Sequence, residues 1–580
     1  MLKCYISNVR ILQSLLLLLP VPIIIIKRIP VSAAFNLIPF PKRNRILLLK
    51  SRATIKNEGR GGILEEEFYS SLLGDGAIKS NDGDLILKNF TYRGNLKIQN
   101  ILNESKESQD KASKNRAAQE ADDILWKLEQ LHRADTVTYN LVLNAFAKST
   151  LQDSAQQALK ILQRMEHVYQ MQLQSIKNKN GEIDSITVKP NVRTYSTVID
   201  ALTKSPGMEP TDAAQASQEL LERLGYLYES TGDKDYQPNT IIYNSVMNSW
   251  AKTETLTGAL NAMKLLKHME HVSSPCEPDV ITYNTCIHAW AKCKMKESGE
   301  RAESLLRRME SRDSMASKPN IRSYSSCIDA WCSSNSPSAA RRAHALLDEL
   351  EAIYEETGDI NMQPNAFTYS SVINAHARSK QSEKKAASAL QVLKRMKQLY
   401  ESGKNPLAKP TIVSYNSVLN ACATTFGRSN GTKEEERTTD TSSSILLTNR
   451  QSQHLALGIV RVIYRELTSD ESEIKPDHFT YGTVLKACAN LMAPLDEEAL
   501  LFIRHVFEKC CNDGQVSFGV LFQLRQAAPI ELYRDLIPHE AIDATNDHFI
   551  LDKIPSSWSR NVKERYSSVQ GGEKSKIKVN

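Results

Sequence analysis

The sequence predicts an all-α protein, an α-solenoid of stacked helix–turn–helix repeats with a C-terminal helical cap, on three observations. One phrase recurs eight times along the 580 residues; PDVITYNTCIHAWAKC, from Pro278, is representative. Each copy carries apolar residues at helical spacing, as Tyr283, Ile287 and Trp290 do at i, i+4 and i+7. A second amphipathic run follows each phrase, as in ERAESLLRRMES from Glu300. A helix pair cannot bury its apolar stripe alone, so neighbouring pairs must stack.

The chain opens on a leader. Residues 1–57 hold ten Lys and Arg and no acid. Lys3 and Arg10 precede an apolar block, Ile11 to Ile26, broken by Pro20 and Pro22. Sixteen apolar residues are short for a spanning helix and suit a secretory h-region. Small residues at Ser32, Ala33 and Ala34 then offer a cleavage site, so residues 1–34 read as signal peptide-like. Phe35 begins a basic, acid-poor stretch, and 35–60 reads as transit peptide-like. The tandem, joined at Ala34-Phe35, resembles the bipartite plastid (chloroplast) leader of algae with complex plastids. A mitochondrial presequence is the alternative; its amphipathic helix does not suit the apolar block.

Beyond the leader the charge reverses. The chain has 73 basic and 67 acidic residues, so 63 basic residues face all 67 acids after position 57, a balance of −4. That excludes a purely electrostatic nucleic-acid binder. Forty-one per cent apolar and 24% charged composition excludes wholesale disorder, collagen and a polytopic membrane protein. The ten cysteines include no CxxC, so a zinc ribbon or a thioredoxin-like site has no support, and a reduced compartment is the natural reading.

The phrase tyrosines are Tyr139, Tyr195, Tyr243, Tyr283, Tyr324, Tyr369, Tyr415 and Tyr481. Seven of the eight phrases follow a Pro; the first has Ala134 there. Their spacing runs from 40 to 66 residues, and the extra length is expected in loops between a second helix and the next Pro. Small residues such as Ala289, Ala330, Ala375, Ala421 and Ala487 allow close helix approach. Tyrosines and Trp250, Trp290 and Trp331 lie on the apolar stripe and are assigned to packing. Residues 61–114 read as a poorly ordered linker and 115–512 as the solenoid, which opens on a half-repeat at Asn115–Leu131. A charged, Ser/Thr-rich stretch at 425–450 reads as a long loop, 513–554 as the helical cap and 555–580 as a basic flexible tail.

The phrase resembles the first helix of the pentatricopeptide repeat, whose consensus begins Pro-Asp and keeps Thr-Tyr-Asn in the same register. The family unit is shorter than every interval here. The resemblance implies single-stranded RNA binding with one base per repeat and no cofactor. It also implies two base-reading residues per repeat. These are the residue after each tyrosine and the last residue of the repeat: Asn140/Asn191, Ser196/Asn239, Asn244/Asp279, Asn284/Asn320, Ser325/Asn365, Ser370/Thr411 and Asn416/Asp477. The eighth phrase has Gly482 after its tyrosine. The residue types fit independently, since amides, hydroxyls and carboxylates can read a base edge. Two residues before each tyrosine stand Val137, Arg193, Ile241, Ile281, Arg322, Phe367, Val413 and Phe479, surfaces on which a base can stack. Asn or Asp after Pro also suits a helix N-cap, and polar residues after tyrosine also suit a solvated face.

The reading implied is a sequence-specific RNA-binding protein acting on organellar transcripts, with single-stranded RNA and other RNA-processing proteins as partners and no membrane contact after leader removal. A protein-binding helical-repeat scaffold is the alternative. An RNA-processing nuclease would need clustered carboxylates around a metal. Glu531, Asp535, Glu540, Asp543 and Asp547 lie in a tail of about 65 residues, too short for such a domain.

Overall fold

The computed structural model describes residues 83–562 except 109, 179–186, 272–275, 313, 380–383, 426–442, 493–496, 543–548 and 551–552. The signal peptide-like and transit peptide-like segments lie outside the described residues. Twenty α-helices and an isolated bridge between Ile542 and Phe549 make up the regular structure described, beside short 3₁₀ turns. The helices pair into a solenoid.

The eight phrases form the first helices: α3 (Thr136–Lys148), α5 (Val192–Lys204), α7 (Thr240–Ala251), α9 (Val280–Cys293), α11 (Ile321–Ser333), α13 (Ala366–Arg378), α15 (Ile412–Ala423) and α17 (His478–Leu491). Their second helices are α4 (Ser154–Asn178), α6 (Pro210–Thr231), α8 (Leu256–Met269), α10 (Ser298–Glu310), α12 (Ala339–Thr357), α14 (Lys385–Glu401), α16 (Ser443–Thr468) and α18 (Glu497–Asn512). Two helices precede, α1 (Gly83–Glu107) and α2 (Lys111–Gln130), and two follow, α19 (Phe518–Ala527) and α20 (Ile530–Leu536). Every first helix packs on the first helix of the next repeat, and α19 continues that row beyond α17.

The first helices start where they do because an N-cap stands behind a chain-breaking proline. Asp279 accepts from the Thr282 amide at 2.8 Å, and Thr282 Oγ1 accepts from the Asp279 amide at 3.1 Å. That reciprocal box recurs at Asp135, Asn191, Asn320, Thr411 and Asp477. One face is then buried: Tyr283, Cys286, Ile287 and Trp290 are all in the core. The expected small residues, from Ala289 to Ala487, are buried too, letting adjacent first helices approach closely. At the start of α10 the same closeness requires glycine, since a Cβ on Gly299 would stand 2.3 Å from the Trp331 ring.

A polar ladder ties the repeats together. Tyrosine hydroxyls donate to carboxylates on α2 and on or just past the second helices: Tyr139 to Glu129, Tyr195 to Glu166, Tyr283 to Glu270, Tyr324 to Glu310, Tyr369 to Glu351, Tyr415 to Glu466 and Tyr481 to Asp513. A cation from the adjoining second helix holds many of the same carboxylates, as Arg164 does Glu129, Arg223 Glu166, Arg308 Glu270, Arg395 Glu351 and Lys397 Glu466. Burial, then the bond to Glu270, pushes the Tyr283 hydroxyl up to about 12, so it stays a donor at any ordinary pH. The tyrosines therefore both pack and clamp.

Four features differ from the sequence expectation. First, 61–114 is not linker throughout, since α1 and the start of α2 occupy its second half. Phe90 and Ile98 bury one face of α1, which packs on α2 and α3. Second, the extra repeat length lies largely in the second helices. The shortest intervals contain α8 and α10, of 14 and 13 residues; the longest contain α4 and α16, of 25 and 26. In α6 the apolar pattern simply runs on, burying Leu220, Leu221, Leu224 and Leu227. The row of first helices thus stays continuous while the opposite layer absorbs the insertions. Third, the stretch 425–450 is helical from Ser443; residues 426–442 lie outside the described residues. Fourth, the tail is docked as far as 562. Trp558 stacks edge-on against Phe507 with centroids 5.7 Å apart, and its carbonyl accepts from the Val516 amide at 2.8 Å. Those contacts cover the end of the last repeat, where an unpartnered apolar surface would otherwise face water.

Candidate nucleic-acid interface

The stacking positions sit two residues after each N-cap, on the first helices and away from their buried face. All eight are exposed, Arg193 and Arg322 included. Among them Ile241 is 68%, Phe367 59% and Phe479 65% exposed. The tyrosine two residues further on is buried in every repeat. Large apolar side chains are thus held in water at one register along a continuous row.

The reading residues follow one turn later. Three pairs touch directly: Asn244 Nδ2 donates to Asp279 Oδ1 at 3.1 Å, Asn416 Nδ2 to Asp477 Oδ1 at 3.1 Å, and Asn284 Nδ2 to Asn320 Oδ1 at 3.5 Å. Two pairs meet through a hydroxyl of the next helix. Ser325 bonds Thr368, which donates to Asn365, and Ser370 bonds Ser414, which bonds Thr411. Asn140 and Asn191, and Ser196 and Asn239, form no direct bond among the described residues. Asn284, Ser325 and Ser370 are buried in the free chain, while Asn239 is exposed.

Each last residue is an N-cap, Asn191, Asn239, Asp279, Asn320, Asn365, Thr411 and Asp477 alike. Capping employs one oxygen and fixes the side chain beside its partner. In the Asn416/Asp477 pair, Asp477 Oδ1 caps, Thr480 Oγ1 donates to Asn416 Oδ1 at 2.8 Å, and Asn416 holds Asp477. What remains is one amide hydrogen of Asn416 and the second oxygen of Asp477. The capping and reading interpretations are therefore compatible. The buried amide oxygens of Asn140, Asn244 and Asn284 have no hydrogen-bond partner among the described residues.

A cleft of about 870 Å³ opens between the last two phrases. Val413 and Phe479 line it together with Asn416 and Asp477. Two of the expected stacking residues and one expected reading pair thus converge on one cavity.

A column of cations stands eight residues after the residue that follows the tyrosine in successive first helices: Lys148, Lys204, Lys252 and Lys292, with Arg378 two repeats on. Eight residues is two helical turns and about 80° more, so the column lies beside the residues that follow the tyrosines, toward the far end of each first helix. Lys204 is bonded to Asp200 at 2.6 Å. Burial and then the nearby Lys204 push the Lys252 ammonium down from its usual range. Reading the sequence for tyrosine and proline alone missed this column, although the recurring Ala-Lys at the phrase ends carries it.

In the tail, Asp535 is bonded to Arg504, and Asp543 and Asp547 lie outside the described residues. Among the described residues no three His, Cys, Asp or Glu come together as a metal would need. No described helix is long and apolar enough to cross a membrane.

Residues 352–425 match the pentatricopeptide repeat domain family. No curated protein sequence matches the chain. Among solved structures the chain is similar to the crystal structure of the pentatricopeptide repeat protein PPR10 from maize, at 16% identity and a TM-score of 0.23, over 82% of this chain and 70% of that one. The chain is thus similar to the pentatricopeptide repeat from within α12 to just beyond α15, and α9 before it and α17 after it have capping boxes and tyrosine–carboxylate bonds of the same kind.

Proposed function

We propose that the chain binds single-stranded RNA along its row of first helices and reads one base per repeat. The observation that carries this reading is the exposed stacking row, held in register with a polar pair in each repeat. A base slides between consecutive stacking side chains, as the Val413–Phe479 cleft illustrates, with its edge toward the pair. An Asn/Asp pair offers one N–H and one carboxylate oxygen. That suits a base edge with a carbonyl beside an N–H, as uracil has. A buried acceptor without a partner carries a penalty of about 1–3 kcal/mol, which a base N–H docking at Asn244 or Asn284 relieves. The balance of −4 beyond the leader leaves few phosphates to be neutralised, so affinity is expected to depend on salt through few contacts.

In the family resembled, Asn with Asp favours U, Asn with Asn a pyrimidine and Ser with Asn A. The proposed target, 5′ to 3′ with the chain running N to C, is pyrimidine–A–U–pyrimidine–A–any–U. Selection of bound RNA from a random pool by the purified chain tests this. Enrichment of that order, undiminished by heparin, is expected; enrichment without base order would overturn it. Occupancy is the mechanism: bound RNA is shielded from nucleases and kept from pairing.

Action on organellar transcripts rests on the leader. Residues 1–60 fused to a reporter are expected in the plastid, and Phe35→Ala is expected to divert it to the secretory route. A mitochondrial signal from the intact leader contradicts this.

A further inference from the structure

The helix α1 has neither the tyrosine nor the proline of the phrases, yet it repeats their polar geometry. Asn95 Nδ2 donates to Asp135 Oδ1 at 3.2 Å, and Thr138 Oγ1 donates to Asn95 Oδ1 at 2.7 Å. The Asn416, Asp477 and Thr480 side chains make the same two bonds at 3.1 and 2.8 Å. Asp135 caps α3 through Thr138 as Asp477 caps α17 through Thr480. Three residues before Asn95 stands Tyr92, 65% exposed, just as Ile241 stands three before Asn244 and Val413 three before Asn416. The helix packs on both α2 and α3, the two neighbours a first helix requires. Gly94 occupies the position of the phrase tyrosine, and a Cβ there would come within 2.8 Å of Leu128. Leu128 thus takes the space a tyrosine ring fills in other repeats.

We propose that α1 is a further first helix, and that Tyr92, Asn95 and Asp135 form an additional nucleotide site at the amino-terminal end of the row. The proposal rests on the RNA-binding reading above. Asp135 Oδ2 forms no hydrogen bond or ion pair among the described residues, and Asn95 keeps one amide hydrogen. The polar set is that of Asn416/Asp477, so the site takes the same base as that pair. Tyr92 supplies the stacking face.

The test compares two RNAs on the full chain: the seven-base target bearing an added 5′ U, and the same RNA bearing a 5′ A. The U-extended RNA is expected to bind about 5- to 150-fold more tightly than the A-extended one, the scale of one good base contact. Tyr92→Ala, at an exposed position, is expected to weaken binding of both extended RNAs without changing the melting temperature. Asn95→Ala is expected to abolish the U-over-A preference at this base alone. Tight binding of both RNAs with no difference between them, and no effect of Tyr92→Ala, overturns this site while the RNA-binding reading stands. Failure of the wild-type chain to bind either RNA overturns both.

Discussion

The Phe367→Ala, Phe479→Ala double variant is expected to lose RNA affinity by about 2–6 kcal/mol, two bases at about 1–3 kcal/mol each. That is a weakening of about 30-fold to 20,000-fold. Both rings are more than half exposed, so their removal takes little from the core. Stability is expected to stay within about 0.5 kcal/mol of wild type. Affinity and stability thus separate, which distinguishes a ligand-facing row from a packing row. Val413→Ala removes a smaller surface and is expected to have a smaller effect. Titration of the pool-selected RNA, with thermal unfolding alongside, checks both halves. A double variant that binds as wild type contradicts stacking.

Glu270→Ala is expected to act the other way, on stability first. The carboxylate is 9% exposed, accepts from Tyr283 at 2.6 Å and pairs with Arg308. Truncation leaves a buried hydroxyl without its acceptor and a half-buried guanidinium without its anion. A loss of about 2–4 kcal/mol follows. Solenoid stability is a sum of repeat and nearest-neighbour interface contributions, so the loss concentrates where α9 meets α8 and α10. Urea denaturation gives the total, and amide exchange in α9 and α10 shows where it falls. Glu270→Gln keeps an acceptor for Tyr283 and is expected to lose less. Unchanged exchange in α9 contradicts the clamp.

The first helices were legible in the sequence because three signals coincide in each phrase: proline, a capping side chain, and apolar residues at helical spacing. The exposed row was legible for the same reason, since Phe367 and Phe479 sit at a fixed distance from a buried tyrosine. The helix α1 was not, because its capping and tyrosine positions are filled by other residues and its partner contacts, Asp135 and Thr138, lie about 40 residues away. The ladder was also hidden. Its carboxylates sit from 10 to 51 residues from their tyrosines, because Glu129 stands on the helix before its tyrosine and Glu466 on the helix after. Periodicity reports which face of a helix is buried, but not how far that helix runs before a loop. The last residues of the repeats looked either structural or base-reading in sequence. In Asn416/Asp477 one carboxylate oxygen caps while the other stays free, so the choice was not exclusive.

The most direct test of one-base reading is Asn244→Thr, read as base preference at the third position of the target. Asn244 holds Asp279 at 3.1 Å, so the exchange alters the donor beside a fixed carboxylate. In the family resembled, Thr with Asp favours G. The preference is expected to move from U to G at that base only, by about 1–3 kcal/mol, the scale of one good base contact. Equal loss of affinity for all four bases would show that Asn244 positions the neighbouring helix and does not read.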